Sequence, residues 1–337
     1  MKRLLSLAAL LACAAVPLSA TAEEAKYPTF GKIERADPQF DQLVPPGAKL
    51  EKLAEGFDWS EGPVWDREGG FLLFSDIPPN KVMKWKEGEG VSLFLHPAGY
   101  TGSKPRGGEP GSNGLLFDKN HKLVLCQHGD RRIARLEDGK FVTVADRCDG
   151  KRFNSPNDAV FKSNGDLYFT DPPYGLDEGP DDPDREQPHC GVYRVTPSGE
   201  VTLLSTELSR PNGIGLSPDE KTLYVANSDG ARPIWMAFDV KEDGTLGKGR
   251  VFFDATPWVK QGLKGSPDGL KVDAAGNVFA TAPGGVAVFS PQGKFLGRIN
   301  TGEATANCAF GDDGKTLYVT ADMYLGRVRL NTKGLGF

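Results

Sequence analysis

The sequence has little positive charge to offer a polyanionic partner. Its 40 Lys and Arg residues are outnumbered by 45 Asp and Glu residues, so the formal net charge is −5. No run of basic residues occurs along the chain. Because an acidic surface repels phosphate backbones, we expect no nucleic-acid partner.

Long apolar runs are confined to the N-terminus. Lys2 and Arg3 precede an apolar stretch over residues 4–16, and Ala20-Thr21-Ala22 follows as a small-residue cleavage site. This order is typical of a secretory signal peptide over residues 1–22, which is too short to span a membrane. Its removal takes away two positive charges, so the mature net charge becomes −7. The sequence therefore predicts an exported protein, periplasmic or secreted, with no transmembrane span.

The leader has a second interpretation. Leu10-Leu11-Ala12-Cys13 loosely resembles a lipoprotein cleavage box, and cleavage there would leave Cys13 acylated. The Ala-Thr-Ala site downstream is better formed, so we retain cleavage after Ala22 as the prediction. Either route exports the protein.

Cysteine pairs with the spacing of a metal site are missing. The mature chain keeps Cys126, Cys148, Cys190 and Cys308, and none of them forms a Cys-x-x-Cys motif. Structural zinc is therefore not expected. An exported protein can form disulfides, but the sequence defines no pairing among these four residues.

The common catalytic signatures are absent too. The chain contains no Gly-x-Ser-x-Gly elbow, no His-Glu-x-x-His, no P-loop and no Gly-x-Gly-x-x-Gly opening a helix. These absences leave serine-hydrolase, zinc-protease and nucleotide chemistry without a motif.

What the sequence has in abundance is turns. It contains 42 Gly and 25 Pro residues, and no stretch carries apolar residues at helical spacing. Short runs of β-branched and aromatic residues instead predict strands, each bounded by turn formers. Six of these runs are Phe71–Phe74, Leu123–Leu125, Leu167–Thr170, Leu223–Ala226, Val278–Thr281 and Leu317–Thr320.

One pattern repeats six times and organises the chain. Each copy opens with Glu, Asn or Asp and continues through an apolar strand, and successive copies start 39 to 56 residues apart. The copies are Glu61-Gly-Pro-Val-Trp-Asp66, Asn113-Gly-Leu-Leu-Phe-Asp118, Asn157-Asp-Ala-Val-Phe-Lys162, Asn212-Gly-Ile-Gly-Leu-Ser217, Asp268-Gly-Leu-Lys-Val-Asp273 and Asn307-Cys-Ala-Phe-Gly-Asp312. Since four-stranded propeller blades need about 40 to 50 residues, this period predicts an all-β, six-bladed β-propeller.

The predicted propeller occupies residues 49–337, after an N-terminal extension over residues 23–48. The last repeat reaches the C-terminus with only three clear strands. We expect Lys49–Ala54, ahead of the first repeat, to supply the missing outer strand and close the ring.

In a propeller the first strand of each blade lines the central channel, so the six opening side chains surround one end of it. Asn before Gly is also a turn former, which is enough to explain Asn113 and Asn307. Glu is not a turn former. Glu61 and Asp268 therefore place two carboxylates at the channel for a reason other than turn formation.

Glu61, Asn157, Asn212 and Asp268 together offer only hard oxygen donors. Such a set suits Ca²⁺ first, Mg²⁺ or Mn²⁺ less selectively, and accepts Zn²⁺ as a substitute. Two negative charges that converge on one channel also need a cation or a proton between them. The sequence thus predicts one divalent metal in the central channel.

Several motifs in order resemble the gluconolactonase branch of the senescence marker protein / gluconolactonase / luciferin-regenerating enzyme family. The resemblance covers roughly residues 50–330. Its motifs are Glu61-Gly-Pro-Val-Trp, Asn154-Ser-Pro-Asn-Asp158, Tyr168-Phe-Thr-Asp-Pro-Pro-Tyr-Gly175, Arg210-Pro-Asn-Gly213 and Ser266-Pro-Asp-Gly269.

The resemblance implies a six-bladed propeller that holds one divalent metal in its channel and hydrolyses sugar lactones. It implies Glu61, Asn157, Asn212 and Asp268 as the metal ligands, with Asp268 also the proton acceptor. Some members carry a substrate-holding Arg two residues before the first of these Asn positions, where this chain has Ser155. Arg152 lies three residues out of register with the repeat, and its role stays open.

A lactone is a cyclic ester, so its hydrolysis needs a nucleophilic water and a stabilised oxyanion. A divalent ion polarises the carbonyl and lowers the pKa of a water, while Asp268 takes the proton and passes it to the leaving ring oxygen. We expect Asn113, His128, Asp171 and Tyr174, on neighbouring blades, to bind the sugar hydroxyls.

Two other functions fit the same fold. A paraoxonase-like metal-dependent esterase or phosphotriesterase would need an apolar lid, whereas the candidate lid loops over residues 100–111 and 176–188 are polar. A non-catalytic periplasmic binding propeller would not need the two channel carboxylates. The particular lactone, the native metal and the oligomeric state are left open by the sequence.

Overall fold

The computed structural model describes residues 26–337. The leader predicted over residues 1–22 and its alternative at Cys13 lie outside the described residues. Within residues 26–337 helix is limited to α1 (Phe40–Leu43), α2 (Thr256–Lys260) and a 3₁₀ turn at Gly179–Asp181. None of the helices in this part of the chain has the length and apolar character needed to cross a membrane.

The remaining regular structure is antiparallel sheet, arranged as six blades in chain order. Ahead of the blades lie β1 (Lys32–Arg35) and β2 (Glu51–Glu55). Blade 1 contains β3 (Ser60–Asp66), β4 (Phe71–Asp76), β5 (Lys81–Lys86) and β6 (Gly90–Leu95). Blade 2 contains β7 (Ser112–Phe117), β8 (Leu123–Gln127), β9 (Arg132–Glu137) and β10 (Lys140–Ala145), and a small hairpin of β11 (Arg147–Cys148) and β12 (Lys151–Arg152) follows it.

The other blades repeat the same order. Blade 3 contains β13 (Ala159–Phe161), β14 (Leu167–Asp171), β15 (Gly191–Val195) and β16 (Val201–Ser205). Blade 4 contains β17 (Pro211–Leu216), β18 (Thr222–Asn227), β19 (Ile234–Asp239) and β20 (Arg250–Asp254). Blade 5 contains β21 (Leu270–Val272), β22 (Val278–Ala282), β23 (Gly285–Phe289) and β24 (Phe295–Asn300), and blade 6 contains β25 (Thr305–Gly311), β26 (Thr316–Ala321) and β27 (Tyr324–Arg329).

The innermost strands of successive blades contact one another, and β25 of blade 6 contacts β3 of blade 1. The ring is therefore closed, which confirms the six-bladed propeller. Each predicted second strand is found as the second strand of its blade.

The N-terminal segment completes two blades. β2 pairs antiparallel with β27 and becomes the fourth strand of blade 6, with Glu51 opposite Arg327. The outer strand expected from Lys49–Ala54 is thus confirmed, at Glu51–Glu55. β1 pairs with β24 and adds a fifth strand to blade 5. Because both strands come from one end of the chain, the N-terminal segment bridges the two blades at the closure.

The apolar core is divided among the blade interfaces. Six clusters of buried side chains occur, and each is shared mainly by two neighbouring blades; one of them joins Val124 and Ile133 of blade 2 to Phe169 and Tyr193 of blade 3. Every residue of β22 and of β23 is buried, and the two strands are correspondingly almost entirely apolar in sequence. The four cysteines of residues 26–337 are buried free thiols: Cys126, Cys148, Cys190 and Cys308.

An ion-pair cluster fastens the closing strand. The buried Arg327 guanidinium donates from Nε to Glu51 Oε2 at 2.7 Å and from Nη1 to Glu87 Oε2 at 2.6 Å. The guanidinium carbon also lies 5.1 Å from the ring centroid of Tyr27 and 5.7 Å from that of Trp85. One side chain thus links β27 to the closing strand β2 and to the turn between β5 and β6.

Arg327→Ala is expected to lower the free energy of unfolding by about 3–5 kcal/mol, because it leaves the largely buried Glu51 carboxylate without its partner. Urea denaturation measures the change. Arg329→Ala is the matched control, since that side chain is 52% exposed and its ion pair with Asp312 contributes about 0–1 kcal/mol. A loss for Arg327→Ala no larger than that of the control would contradict the role of this cluster.

Candidate functional site at the axial channel

Close approach between first strands brings the six opening residues together. A Cβ atom on Gly62, whose φ is +49°, would lie 1.9 Å from the Asn113 carbonyl oxygen. A Cβ atom on Gly114 would lie 2.8 Å from both the Asn157 carbonyl oxygen and Asp158 Oδ1. Only glycine fits at such distances. In the four repeats that have it, the glycine after the opening residue therefore allows the close approach of neighbouring first strands, in addition to any turn it makes.

A cavity of about 360 Å³ lies at the end of the channel where the first strands begin. Its walls combine polar side chains of the strand openings with residues of the loops above them. The lining residues are Trp59, Glu61, Glu109, Asn113, Asn157, Tyr174, Arg210, Asn212, Ser228, Gly265, Ser266, Asp268, Ala304 and Thr305. A larger cavity of about 1180 Å³ lies at the opposite end, where the first strands finish, and its walls are mainly apolar.

Four oxygen atoms in the smaller cavity are buried without a hydrogen-bond partner. They are Oδ1 of Asn113, Asn157, Asn212 and Asp268, each from a different blade. The amide nitrogens of two of these residues are engaged, since Asn212 Nδ2 donates to Ser228 Oγ at 2.9 Å and Asn157 Nδ2 lies 3.4 Å from His128 Nε2. Buried oxygens that lack donors are unfavourable unless a cation or a ligand satisfies them.

The carboxyl groups of Glu61 and Asp268 both line this cavity. The Glu61 side chain is buried, and its Oε2 accepts hydrogen bonds from the Gly62 amide at 2.7 Å and from Asn307 Nδ2 at 3.2 Å. Burial raises the pKa of Glu61, and the negative charge of Asp158 raises it further. Burial and then the charge of Glu61 raise the pKa of Asp268. It is therefore energetically unfavourable for both carboxyl groups to be ionised without a cation between them.

This donor set fits a hard divalent cation. In residues 26–337 no three His, Cys, Asp or Glu side chains are grouped as a metal site, and the donors that face this cavity include amide oxygens as well as carboxyls. The unpartnered oxygens of Asn113, Asn157, Asn212 and Asp268, together with Glu61, are of the kind that Ca²⁺ prefers. Four of these residues are the predicted ligands, and Asn113 occurs beside them with an equally unpartnered oxygen.

His128 lies behind the cavity wall and not on it. The side chain is completely buried, with Nε2 facing the Asn157 amide and Nδ1 3.4 Å from Glu109 Oε2. Since Asn157 Nδ2 faces the imidazole, Asn157 Oδ1 is turned away from it. His128 is thus placed to orient Asn157, whereas its direct contact with a substrate stays a prediction.

Tyr174 and Asp171 differ in their placement. Tyr174 lines the cavity, and its ring centroid lies 6.0 Å from the Arg210 guanidinium carbon. Asp171 does not line the cavity; its two oxygens accept the backbone N–H groups of Asn154 and Ser155, both at 2.8 Å. Burial raises the pKa of Asp171 to about 7. Asp171 holds the loop that leads to Asn157, and a substrate contact from it stays a prediction.

Sequence reasoning missed three residues of this region. Glu109 belongs to the loop over residues 100–111, which was expected only as a lid. Arg210 stands two residues before Asn212 in a motif already singled out, and it lines the cavity. Asp158 follows an opening residue where four of the six repeats have Gly, and that departure was its signal.

The two candidate lid loops are tied to each other. Arg106 Nε donates to Asp177 Oδ1 at 2.7 Å, which joins the loop over residues 100–111 to the loop over residues 176–188. Only the first of these loops contributes a cavity residue, Glu109. Arg152 lies outside the cavity wall, where its Nη2 donates to the Asp130 carbonyl oxygen at 2.9 Å.

Comparison with known proteins identifies relatives along nearly the whole chain. The model of the SMP-30/Gluconolactonase/LRE-like region matches residues 59–322. A gluconolactonase of Zymomonas mobilis is 42% identical over 319 residues, which cover 91% of this chain and 88% of that protein.

Solved structures give the same result for the fold. A gluconolactonase from Xanthomonas campestris has a TM-score of 0.79 at 32% identity, covering 93% of this chain and 99% of its own. A calcium-binding protein, regucalcin from Agrobacterium tumefaciens, has a TM-score of 0.66 at 21% identity, covering 85% and 94% of the two chains. At that lower identity the likeness shows the shared fold alone.

Proposed function

This chain belongs to the SMP-30/gluconolactonase/LRE-like family, and we propose that it hydrolyses sugar lactones to aldonates in the axial cavity. One observation carries the proposal: Glu61 and Asp268 meet unpartnered amide oxygens from three other blades in one small cavity. A purely structural channel gains nothing from buried oxygens without donors. A site that binds a cation next to an ester substrate uses such oxygens as ligands.

We propose Ca²⁺ as the ion, held by Glu61, Asn157, Asn212 and Asp268. A divalent ion bound there supplies Lewis-acid activation of a carbonyl and of a water. Asn113 Oδ1 is as unpartnered as the amide oxygens of Asn157 and Asn212, so it supports either the ion or a substrate hydroxyl.

Within this chain, Asp268 is the residue that we propose moves the proton. Its Oδ1 is buried and unpartnered, while the residue keeps part of its surface open to the cavity. Burial raises the pKa of Asp268, whereas a divalent ion bound beside it would lower that pKa, so the carboxyl would be ionised and able to accept a proton near neutral pH. Asp268 therefore accepts the proton of the attacking water and returns it to the ring oxygen as the lactone opens.

The cavity wall supports a polyhydroxylated substrate. Glu109, Arg210 and Ser228 offer charged and hydroxyl groups, while Trp59 and Tyr174 provide aromatic surface. Sugar rings need both, since their hydroxyls seek hydrogen bonds and their C–H faces pack on aromatic rings. An apolar lid for lipophilic esters is missing from the described loops over residues 100–111 and 176–188, which are polar. We also propose that the reaction takes place outside the cytoplasm, because the predicted leader marks the chain for export.

The proposal predicts that chelation abolishes lactone hydrolysis and that Ca²⁺ restores it. Purified protein is stripped with a chelator, supplied with Ca²⁺, Mg²⁺, Mn²⁺ or Zn²⁺ singly, and assayed by proton release against aldono-lactones of six and five carbons. Spontaneous hydrolysis is subtracted, and an aryl ester and a phosphotriester serve as competing substrate classes. We expect a loss of about 100-fold or more on chelation, since the ion stabilises the developing charge. Full activity after chelation, or turnover of the ester alone, would contradict the proposal.

A further inference from the structure

Beneath the cavity, three polar side chains continue the site along the channel axis. Asn307 Nδ2 lies 3.2 Å from Glu61 Oε2 and 3.4 Å from Asp158 Oδ2. Lys271 Nζ lies 3.4 Å from Asn307 Oδ1, 3.0 Å from the Leu270 carbonyl oxygen and 3.8 Å from Asp158 Oδ2. A hydrogen-bonded chain therefore runs from the Glu61 carboxyl to an ammonium group.

Asn307 differs from the other three asparagines that open first strands. Its Oδ1 accepts the Cys308 N–H at 2.9 Å and a hydrogen bond from Lys271 Nζ, while its Nδ2 donates to two carboxylates. Hydrogen-bond donors thus face Oδ1 and acceptors face Nδ2, and the Asn307 oxygen has partners. Asn307 is thus a fixed connector between Lys271 and Glu61 and not a further open ligand.

Asp158 is a third acidic group close to the site. Its side chain is only 4% exposed, and its Oδ1 accepts the Ala159 N–H at 2.9 Å. Its negative charge is felt at both cavity carboxyls, where it raises the pKa of Glu61 and of Asp268. A buried anion in this place is strongly unfavourable unless a cation lies beside it. Lys271 is the one ammonium or guanidinium that forms an ion pair with Asp158 among residues 26–337.

We infer that Lys271 is a cation built into the chain, which balances Asp158 and holds Asn307 in the orientation that fixes Glu61. This inference rests on the proposed metal site at Glu61 and Asp268. Lys271 does not line the smaller cavity; its side chain is 31% exposed and lines the larger cavity at the other end of the channel, so it is a positioning and charge-balancing residue. Because Lys271 compensates the charge of Asp158, a cation in the cavity would interact with the negative charges of Glu61 and Asp268 and not with a third, uncompensated anion beneath them.

The test uses variants that change the charge of this pair one member at a time. Asp158→Asn leaves Lys271 unbalanced below the site, and Lys271→Met leaves Asp158 unbalanced. The double variant removes both charges, and Lys221→Met removes a charge from an exposed turn as the matched control. Calcium affinity is measured by titrating Ca²⁺ into the metal-free proteins in a calorimeter, and thermal unfolding of each protein is followed without metal.

The two single variants should shift the calcium affinity in opposite directions. We expect Asp158→Asn to weaken Ca²⁺ binding by about tenfold or more, because Asp158 is only 4% exposed and its charge is poorly screened. Lys271→Met should strengthen binding by a smaller factor, about threefold, because the Lys271 side chain is 31% exposed and water partly screens its charge. Lys271→Met should also lower the melting temperature of the metal-free protein. The double variant should return to within about threefold of the wild-type affinity, since the charge sum is restored.

A merely structural pair would behave differently, because each single variant would then weaken Ca²⁺ binding and the double variant would weaken it most. That result, or affinities unchanged in all three variants, would overturn the inference. A Lys271→Met protein that fails to fold while the double variant folds supports it, since the unbalanced Asp158 is then the cause. Failure of the proposed function is distinguishable, because the wild type would then bind no Ca²⁺ or would bind it without hydrolysing a lactone, and neither result depends on the order of affinities among the variants.

Discussion

Asp268→Asn is expected to lower kcat for lactone hydrolysis by about 10³-fold while the protein remains folded. The amide has the shape of the carboxyl but accepts no proton at neutral pH, and general-base catalysis contributes about 10² to 10⁴-fold. Asp268 and Glu61 line the same cavity, and the negative charge of Glu61, after burial, raises the pKa of Asp268. The amide relieves that repulsion, so the variant should fold at least as stably as the wild type without metal. Proton release at saturating Ca²⁺ measures the effect.

The control for this prediction is Asp138→Asn in the turn between β9 and β10. Asp138 is exposed, and its positive φ of 49° is a conformation that asparagine also adopts readily. Its kcat should equal that of the wild type. Calcium binding by the Asp268→Asn variant is measured in parallel, because some affinity is lost with the charge. An Asp268→Asn protein that keeps more than about a tenth of the wild-type kcat would remove Asp268 from the proton-accepting role.

Glu61→Gln is expected to stabilise the metal-free protein and to abolish both its response to Ca²⁺ and its activity. Without metal, burial and the charge of Asp158 disfavour ionisation of the Glu61 carboxyl, and a neutral amide avoids both costs. With metal, the wild type gains stability by mass action, about 2.7 kcal/mol at a Ca²⁺ concentration 100 times the Kd. The variant lacks the charged ligand and should gain little. Thermal unfolding with chelator and with Ca²⁺ measures the two effects separately.

Glu242→Gln serves as the matched control, since Glu242 lies in an exposed turn after β19. Its melting temperatures should follow those of the wild type with and without Ca²⁺. If Glu61→Gln lowered the stability of the metal-free protein and left the calcium shift intact, Glu61 would be a structural acid and not part of an ion site.

The repeat made most of the architecture predictable. Propeller blades recur at nearly constant length along the chain. Six repeats that each consist of a polar residue followed by an apolar strand are therefore compatible with few folds other than a six-bladed propeller. The closing strand was predictable by counting, because blade 6 had three strands and the chain had one left at the other end. The fifth strand that β1 adds to blade 5 had no such count behind it.

The candidate site was predictable in part. Glu61 and Asp268 stood out as the opening residues that are not asparagine, and both line the cavity. Asn113 and Asn307 looked alike in sequence, yet Asn113 has an unpartnered oxygen whereas Asn307 is satisfied by Lys271, Asp158 and Glu61. The sequence could not show that the Asp171 oxygens accept two backbone N–H groups, and its expected substrate contact stays a prediction.

The sequence by itself determined the fold, the residues that open each first strand and the two carboxyls among them, because these depend on local pattern and period. Only the tertiary structure decided what each opening residue does. That outcome depends on which atoms meet across the channel, between residues as distant as Glu61 and Asn307 or Asp158 and Lys271. Hydrogen bonds and charges act over a few ångströms, and no spacing along the chain encodes which distant partner arrives there.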